Sequence, residues 1–188
     1  MSIPGHAHEL ERHARTIGPG GWAVESARPI ATLLGSCVAV CLWDPVLRIG
    51  GMNHFMLPRK LREHPAADID ILLGGDVAMQ ALLHGMLARG AQRSRLEAKA
   101  FGGGTVVATL AHTSIGRRNV EFARESLARE NVPLVASDVL GQWSRKLVFD
   151  PTSGKAFCRR GEEIPARLAQ AELRYAGGLV TPRHGSVD

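Results

Sequence analysis

The fold of this chain is decided by the stretch Thr32-Leu33-Leu34-Gly35-Ser36-Cys37-Val38-Ala39-Val40-Cys41 and by its follower Gly50-Gly51-Met52-Asn53-His54-Phe55. Residues 38–43 form an apolar run of the length of a buried strand, and residues 49–55 form a shorter run that returns beside it. Gly35 permits the sharp bend that presents Cys37 at the mouth of the first strand. The second run brings His54, so the pattern predicts a thiol nucleophile and its base on adjacent segments.

Length and composition predict one domain. The chain has 188 residues, of which 45% are hydrophobic, enough for one well-buried core and too few for two ordinary domains. We expect a flexible leader at residues 1–20, the domain at 21–177 and a flexible tail at 178–188. The N-terminus has no apolar signal core and no apolar run approaches membrane-spanning length. We therefore expect a cytoplasmic protein without direct membrane insertion.

The net charge of +5 is spread over short basic clusters along the chain. No aromatic residues alternate with these clusters as a base-stacking surface requires, so nucleic acid is not an expected partner. A mildly basic surface favours an acidic protein partner through long-range attraction. A solvated face without any partner explains the same charge equally well.

The remaining elements predict a mixed α/β domain. After a strand-rich section at residues 22–55, residues 58–70 are expected to form a surface loop beside the candidate site. Asp76 is expected to cap a helix that ends at Gly90, and a second helix is expected at residues 117–130. Further strands are predicted at residues 96–101, 134–139, 145–150 and 155–159, and a last helix at 166–175. Because strands come in a block and regular βαβ alternation is absent, the fold class is mixed α/β.

The three cysteines differ in their expected chemistry. Cys41 lies deeper in the apolar strand and Cys158 lies within a hairpin strand, where burial raises a thiol pKa and makes the residue inert. Cys37 lies at a strand start behind a flexible turn, where partial exposure and nearby backbone N–H groups favour a thiolate and stabilise an oxyanion. A simple packing role remains the alternative for Cys37 as well.

His54 is the candidate base for Cys37, and its alternative is a hydrogen-bonded structural histidine. Its second ring nitrogen needs an orienting acceptor, and Thr32 is the nearest candidate. A zinc site made by Cys37, Cys41, His54 and Cys158 is disfavoured, because structural zinc draws on closely spaced pairs of ligands.

A glycine run follows the predicted strand at residues 96–101. It lacks the Lys-Ser/Thr of a P-loop, so a nucleotide is not expected. The run Gly102-Gly103-Gly104 is either a plain turn or a loop that lets a protein substrate approach the backbone near Cys37. Asn119 is either a helix cap or part of the same surface.

Four motifs in this order resemble the chemoreceptor glutamine deamidase family, CheD: residues 34–40, 50–58, 99–104 and 115–119. With Asp138-Val139 and the hairpin at 145–160, the similarity spans roughly residues 22–160. The resemblance implies a single layered domain with mixed β-sheets and outer helices, similar to the cysteine deamidase toxin fold. It also implies hydrolysis of glutamine side chains on chemoreceptor helices, without metal, nucleotide or organic cofactor.

By motif position, Cys37 matches the family nucleophile and His54 its base. The family threonine falls on Ala31 when no gap is allowed, one residue before Thr32, and one residue changes the face of a strand. We predict Cys37, His54 and Thr32 as catalytic residues, and Ser36, Gly102, Gly103 and Asn119 as substrate-binding residues.

The resemblance leaves two further functions open. One is a chemotaxis binding module that docks to receptors or to a chemotaxis phosphatase, with a vestigial active site. The other is a cysteine hydrolase with a small amide substrate. Nothing in the sequence demands more than a monomer.

Overall fold

The computed structural model describes residues 4–56, 75–105, 115–161, 166–167 and 170, with side chains from residue 7 onward. The surface loop predicted at residues 58–70 and most of the last predicted helix lie outside these residues. No helix in the described part of the chain is both long and apolar enough to cross a lipid bilayer.

The described elements follow one another in a strand-rich order. They are α1 (Pro4–His13), β1 (Arg15–Thr16), β2 (Trp22–Glu25), β3 (Ile30–Leu34), β4 (Val38–Asp44), β5 (Ile49–Asn53), α2 (Val77–Ala88), β6 (Glu97–Gly102), α3 (Ile115–Arg129), β7 (Leu134–Val139), β8 (Ser144–Asp150) and β9 (Lys155–Gly161). A single 3-10 turn, Arg93–Arg95, precedes β6.

The strands form two mixed sheets. Sheet A has the order β1-β3-β8-β9, and sheet B has the order β2-β5-β4-β6-β7. The β1/β3 and β6/β7 pairs are parallel, while the other pairs are antiparallel. The parallel pair in sheet B is joined through α3, as parallel strands need a crossover connection. The structure therefore confirms the mixed α/β class predicted from the sequence.

Strand β4 separates two apolar layers because its side chains alternate between the faces of sheet B. Val38, Val40 and Leu42 pack with helices α2 and α3 on the outer face. Cys37, Ala39 and Cys41 face the other way and pack against residues of sheet A. The layer between the sheets therefore contains both cysteines of the fold-determining stretch.

The helices begin and end close to their predicted positions, but their caps differ. Helix α2 buries one apolar face, and Gly90 follows its end in the left-handed region. The predicted cap by Asp76 is wrong, because this residue is itself helical and makes no capping bond. Its carboxylate instead accepts a hydrogen bond from Arg129 of α3.

The predicted flexible leader differs most from the structure. Residues 4–13 form α1, and β1 pairs with β3 through Arg15↔Ile30 and Thr16↔Ala31. Ile17 is buried in the layer between the sheets. Burial of this side chain and pairing with β3 hold the segment in place, so the ordered fold begins well before residue 21.

Candidate active site

Cys37 and His54 face the same layer between the sheets. Strands β4 and β5 pair as Cys41↔Met52, and the isolated bridge Val38↔Phe55 keeps the same register. In this register Cys37 lies diagonally across the strand pair from His54. The backbones of such diagonal neighbours are about 7–8 Å apart, a separation that ring side chains can bridge. The register thus places Cys37 and His54 on one face of sheet B as diagonal neighbours.

Both residues are fully buried, at 0% exposure. The prediction of a partly exposed thiol is therefore wrong. Cys37 packs in one apolar cluster with Met56, Phe101 and Ile115, which the sequence pattern around Cys37 does not reveal.

Three consecutive carbonyl groups of the turn before β4 accept hydrogen bonds. Gly104 N–H donates to the Gly35 carbonyl at 2.8 Å, and Gly103 N–H donates to the Cys37 carbonyl at 2.7 Å. Between them, Asn119 Nδ2 donates to the Ser36 carbonyl at 2.9 Å. The glycine run and helix α3 therefore fix the backbone that carries the thiol. Asn119 lies inside α3 and donates to the Ser36 carbonyl, so the alternative of a helix cap is wrong.

The glycines in this loop are needed for close backbone contact. Gly102 and Gly103 have φ values of 108° and 67°, a region that favours glycine. A Cβ on Gly102 would overlap the Cys37 carbonyl oxygen, and one on Gly103 would overlap Val120 and the Gly116 carbonyl of α3. The described contacts of this loop are thus with the protein itself, and its contact with a substrate stays a prediction.

Thr32 contacts the imidazole across the two sheets. Its Oγ1 lies 2.7 Å from His54 Nδ1 and donates its proton to the Ile17 carbonyl at 2.8 Å. Thr32 faces the interior together with Ile30 and Leu34 of the same strand, while Ala31 faces the opposite side. The contact to the histidine therefore comes from Thr32 and not from Ala31.

The environment of His54 keeps its ring neutral. Burial lowers the pKa of His54 from its ordinary value of 6.5 to about 3. Among the described residues, the buried Nε2 atom has no hydrogen-bond partner. The site therefore presents a neutral imidazole with an unoccupied basic nitrogen, rather than a preformed thiolate–imidazolium pair.

The other two cysteines lie in environments that suppress ionisation. Burial strongly raises the pKa of Cys41 and raises the pKa of Cys158 to about 11. In the described part of the chain, no three His, Cys, Asp or Glu side chains gather into a possible metal site.

Comparison with known proteins identifies the family. The CheD chemotactic sensory transduction family matches residues 56–160. A protein of Dechloromonas aromatica (strain RCB), "Probable chemoreceptor glutamine deamidase CheD 2", is 60% identical over 177 residues, covering 92% of this chain and 89% of that protein. The chain belongs to the CheD family.

Other similarities are weaker. A protein of the same printed name from Burkholderia thailandensis (strain ATCC 700388 / DSM 13276 / CCUG 48851 / CIP 106301 / E264) is 42% identical to this CheD chain over 186 residues, covering 96% of the chain and 94% of that protein. The crystal structure of Bacillus licheniformis hypothetical protein YfiH matches 64% of this chain and 51% of its own at 14% identity, with a TM-score of 0.42. That structural similarity is too low to support an inference.

One part of this CheD site, the segment at residues 15–21, was not predicted from the sequence. The Ile17 carbonyl accepts the Thr32 hydroxyl, and the backbones of Gly20 and Gly21 exchange hydrogen bonds with His54. The signals available were a single apolar residue, Ile17, and the turn residues that follow it. Neither has a periodicity that would mark a site.

Proposed function

We propose that this CheD family member hydrolyses glutamine side chains of chemoreceptor helices to glutamate, with Cys37 as nucleophile and His54 as base. The single observation that supports this mechanism best is the state of His54. Its Nδ1 is bound by Thr32, while its Nε2 is buried and without a hydrogen-bond partner among the described residues. Facing the same layer as Cys37, this nitrogen is available to take the thiol proton.

The first half of the reaction forms a thioester. The Cys37 sulfur attacks the carboxamide carbon as its proton passes to His54 Nε2, and backbone N–H groups around Cys37 hold the oxyanion. The C–N bond then breaks, and His54 returns the proton to the departing nitrogen, which leaves as ammonia. Because the imidazole begins neutral, proton transfer accompanies attack.

The second half of the reaction restores the thiol. His54 takes a proton from water, and the resulting nucleophile attacks the thioester carbonyl. The C–S bond breaks, glutamate is released, and the sulfur receives the proton from His54. Thr32 touches neither the sulfur nor the substrate in this scheme. It acts by holding the imidazole in orientation.

The residues around the turn support the nucleophile. Asn119 donates to the Ser36 carbonyl, and the glycine loop donates to the Cys37 carbonyl. These bonds fix the backbone that carries the thiol, which is one condition for a reactive geometry. We propose that Ser36, Gly102, Gly103 and Asn119 position the thiol, and that the same loop borders the docked glutamine.

Access to the thiol requires a change in the free protein. Because Cys37 and His54 are both completely buried, a glutamine side chain reaches them only after a local rearrangement. We propose that docking of a receptor helix supplies the energy for this step, so that the site opens only on its substrate.

The surface charge supports an acidic partner. An open cleft of about 460 Å³ on sheet A is lined by Lys146, Arg159 and Arg167, with Glu11 as its acidic member. We propose that such basic surfaces attract receptor helices or a chemotaxis phosphatase. The protein is proposed to act in the cytoplasm as a monomer.

The test uses a chemoreceptor cytoplasmic fragment, wild-type protein and the variant Cys37→Ala. Wild type is expected to add about one dalton for each glutamine converted to glutamate, and Cys37→Ala is expected to add none. Cys158→Ser is the matched control, because it removes a thiol of another strand and is expected to keep activity. Equal mass gain with Cys37→Ala would refute the mechanism.

A binding module is the second candidate, and the complete burial of Cys37 and His54 favours it. In that case wild type binds the receptor fragment or a phosphatase without any mass gain. Ammonia release from free glutamine, with none from the fragment, would instead indicate a small-amide hydrolase.

A further inference from the structure

The segment at residues 15–21 contacts both members of the Thr32–His54 pair. Ile17 N–H donates to the Ala31 carbonyl at 2.9 Å, which continues the parallel ladder between β1 and β3. The Ile17 carbonyl accepts the Thr32 hydroxyl at 2.8 Å. The segment is thus attached to the strand that carries Thr32.

The same segment also holds the histidine backbone. Gly20 N–H donates to the His54 carbonyl at 2.8 Å, and His54 N–H donates to the Gly21 carbonyl at 2.9 Å. Gly21 N–H closes a tight turn onto the Gly18 carbonyl at 2.9 Å. Backbone groups of one short segment therefore bind Thr32 on one side and His54 on the other.

The hydrogen bonds of Thr32 determine which ring nitrogen of His54 is protonated. A threonine hydroxyl has one proton to donate and lone pairs to accept with. Because that proton is donated to the Ile17 carbonyl, the 2.7 Å contact between Thr32 Oγ1 and His54 Nδ1 requires the proton on Nδ1. In a neutral imidazole, Nε2 is then the unprotonated nitrogen.

We infer that the Ile17 carbonyl is a positioning group of the active site, which acts through the Thr32 hydroxyl to hold His54 in the Nδ1–H tautomer. A free Thr32 hydroxyl could rotate and donate to Nδ1, and the ring would then have its proton on Nε2. That tautomer cannot accept the Cys37 proton at Nε2. The N-terminal segment therefore belongs to the catalytic apparatus, and the inference rests on the proposed function of Cys37 and His54.

The first test reads the tautomer directly. In full-length protein with ¹⁵N-labelled histidine rings, two-bond correlation spectra distinguish a protonated from an unprotonated ring nitrogen. The His54 signals are assigned by their loss in His54→Gln. We expect a protonated Nδ1 and an unprotonated Nε2 in wild type, the same in Thr32→Ser, and a mixture of tautomers in Thr32→Val. A protonated Nε2 in wild type would overturn the inference.

The second test weakens only the hydrogen bond that the Ile17 carbonyl accepts from Thr32. Semisynthesis that joins residues 1–36 to a fragment beginning at Cys37 allows the Ile17–Gly18 amide to be replaced by an ester, whose carbonyl is a weaker acceptor. Gly18 N–H has no recorded acceptor among the described residues, so the exchange removes no other bond. The control is wild type made by the same ligation, together with an ester at the Ser26–Ala27 bond, where no backbone partner is recorded in the described chain.

The expected result is a loss of kcat without a change in KM, because Ile17 does not touch the substrate. The ester at Ile17–Gly18 should lower kcat about fivefold to tenfold and shift the tautomer ratio, while the control ester changes neither. Thr32→Val should lower kcat about 100-fold, and Thr32→Ser should restore most of it.

The outcomes separate this inference from the proposed function. Unchanged kcat and tautomer in the Ile17–Gly18 ester would overturn the inference while deamidation by wild type stands. A wild type with the Nδ1–H tautomer but without deamidation would refute the function and leave the tautomer assignment in place.

Discussion

The neutral, buried state of His54 predicts a specific acid weakness of the folded protein. The folded-state pKa of about 3 lies below the ordinary value of 6.5 expected in the unfolded chain. Between these values the unfolded state binds one proton more than the folded state, so stability rises with pH. The stabilisation is complete above pH 6.5 and is lost as the pH falls towards 3.

The magnitude follows from the proton count. One proton of difference changes the free energy of unfolding by about 1.4 kcal/mol per pH unit. Integrated from pH 6.5 to pH 4.5, this single group accounts for a loss of about 2 kcal/mol. Asp44 does not titrate within this range. Burial raises the pKa of Asp44, but hydrogen bonds from Arg95 and three backbone N–H groups outweigh burial and lower it to about 2, outside this pH window.

The assay is urea unfolding at several pH values between 4.5 and 7.5 for wild type and for His54→Gln, with His54→Asn as a second variant. The quantity of interest is the difference in free energy of unfolding between wild type and variant at each pH. Wild type should lose about 2 kcal/mol of unfolding free energy relative to each variant as the pH falls from 6.5 to 4.5. Parallel pH profiles for wild type and both variants would refute the assignment of a neutral buried ring.

Two further substitutions test how the site is supported. Gly102→Ala should lower the free energy of unfolding by about 1–3 kcal/mol and reduce deamidation, because its Cβ would overlap the Cys37 carbonyl, whereas Gly18→Ala, in open space, should stay within about 0.5 kcal/mol. Equal losses for the two glycines in thermal unfolding would contradict this reasoning. Arg145→Met should cost about 2–3 kcal/mol in urea unfolding, because the fully buried guanidinium binds Asp138 and the Leu140 carbonyl. Arg160→Met, which removes the exposed second partner of Asp138, should cost much less, and the reverse order would show that burial does not set the strength of this cluster.

Secondary structure was largely predictable because it depends on local periodicity. The apolar run at residues 38–43 predicted a strand that the structure places at Val38–Asp44, and the helix predicted between Asp76 and Gly90 is α2. The mixed α/β class followed from the order of these elements. The neighbouring pairs β4/β5 and β8/β9 were also predicted and are confirmed. The pairing of β3 with β8 was not predicted, since it joins residues more than a hundred positions apart.

The site was predictable in its side chains and not in its backbone. Cys37 and His54 stood out because their residue types have chemistry of their own. Ile17 and Gly21 act through carbonyl groups that every residue possesses, so no sequence pattern marks them. The complete burial of Cys37 likewise depends on side chains brought together by the fold, such as Met56 and Ile115.

Thr32 and His54 lie in the layer between the sheets, beside a cluster of apolar side chains. A buried polar pair contributes less to the cohesion of such a layer than well-packed hydrocarbon of equal volume. Val at position 32 or Leu at position 54 alone would leave the polar group of the other residue without its partner, and an orphaned buried polar group costs stability. The two positions are therefore coupled, and a chain that loses either side chain loses stability along with the proposed reaction.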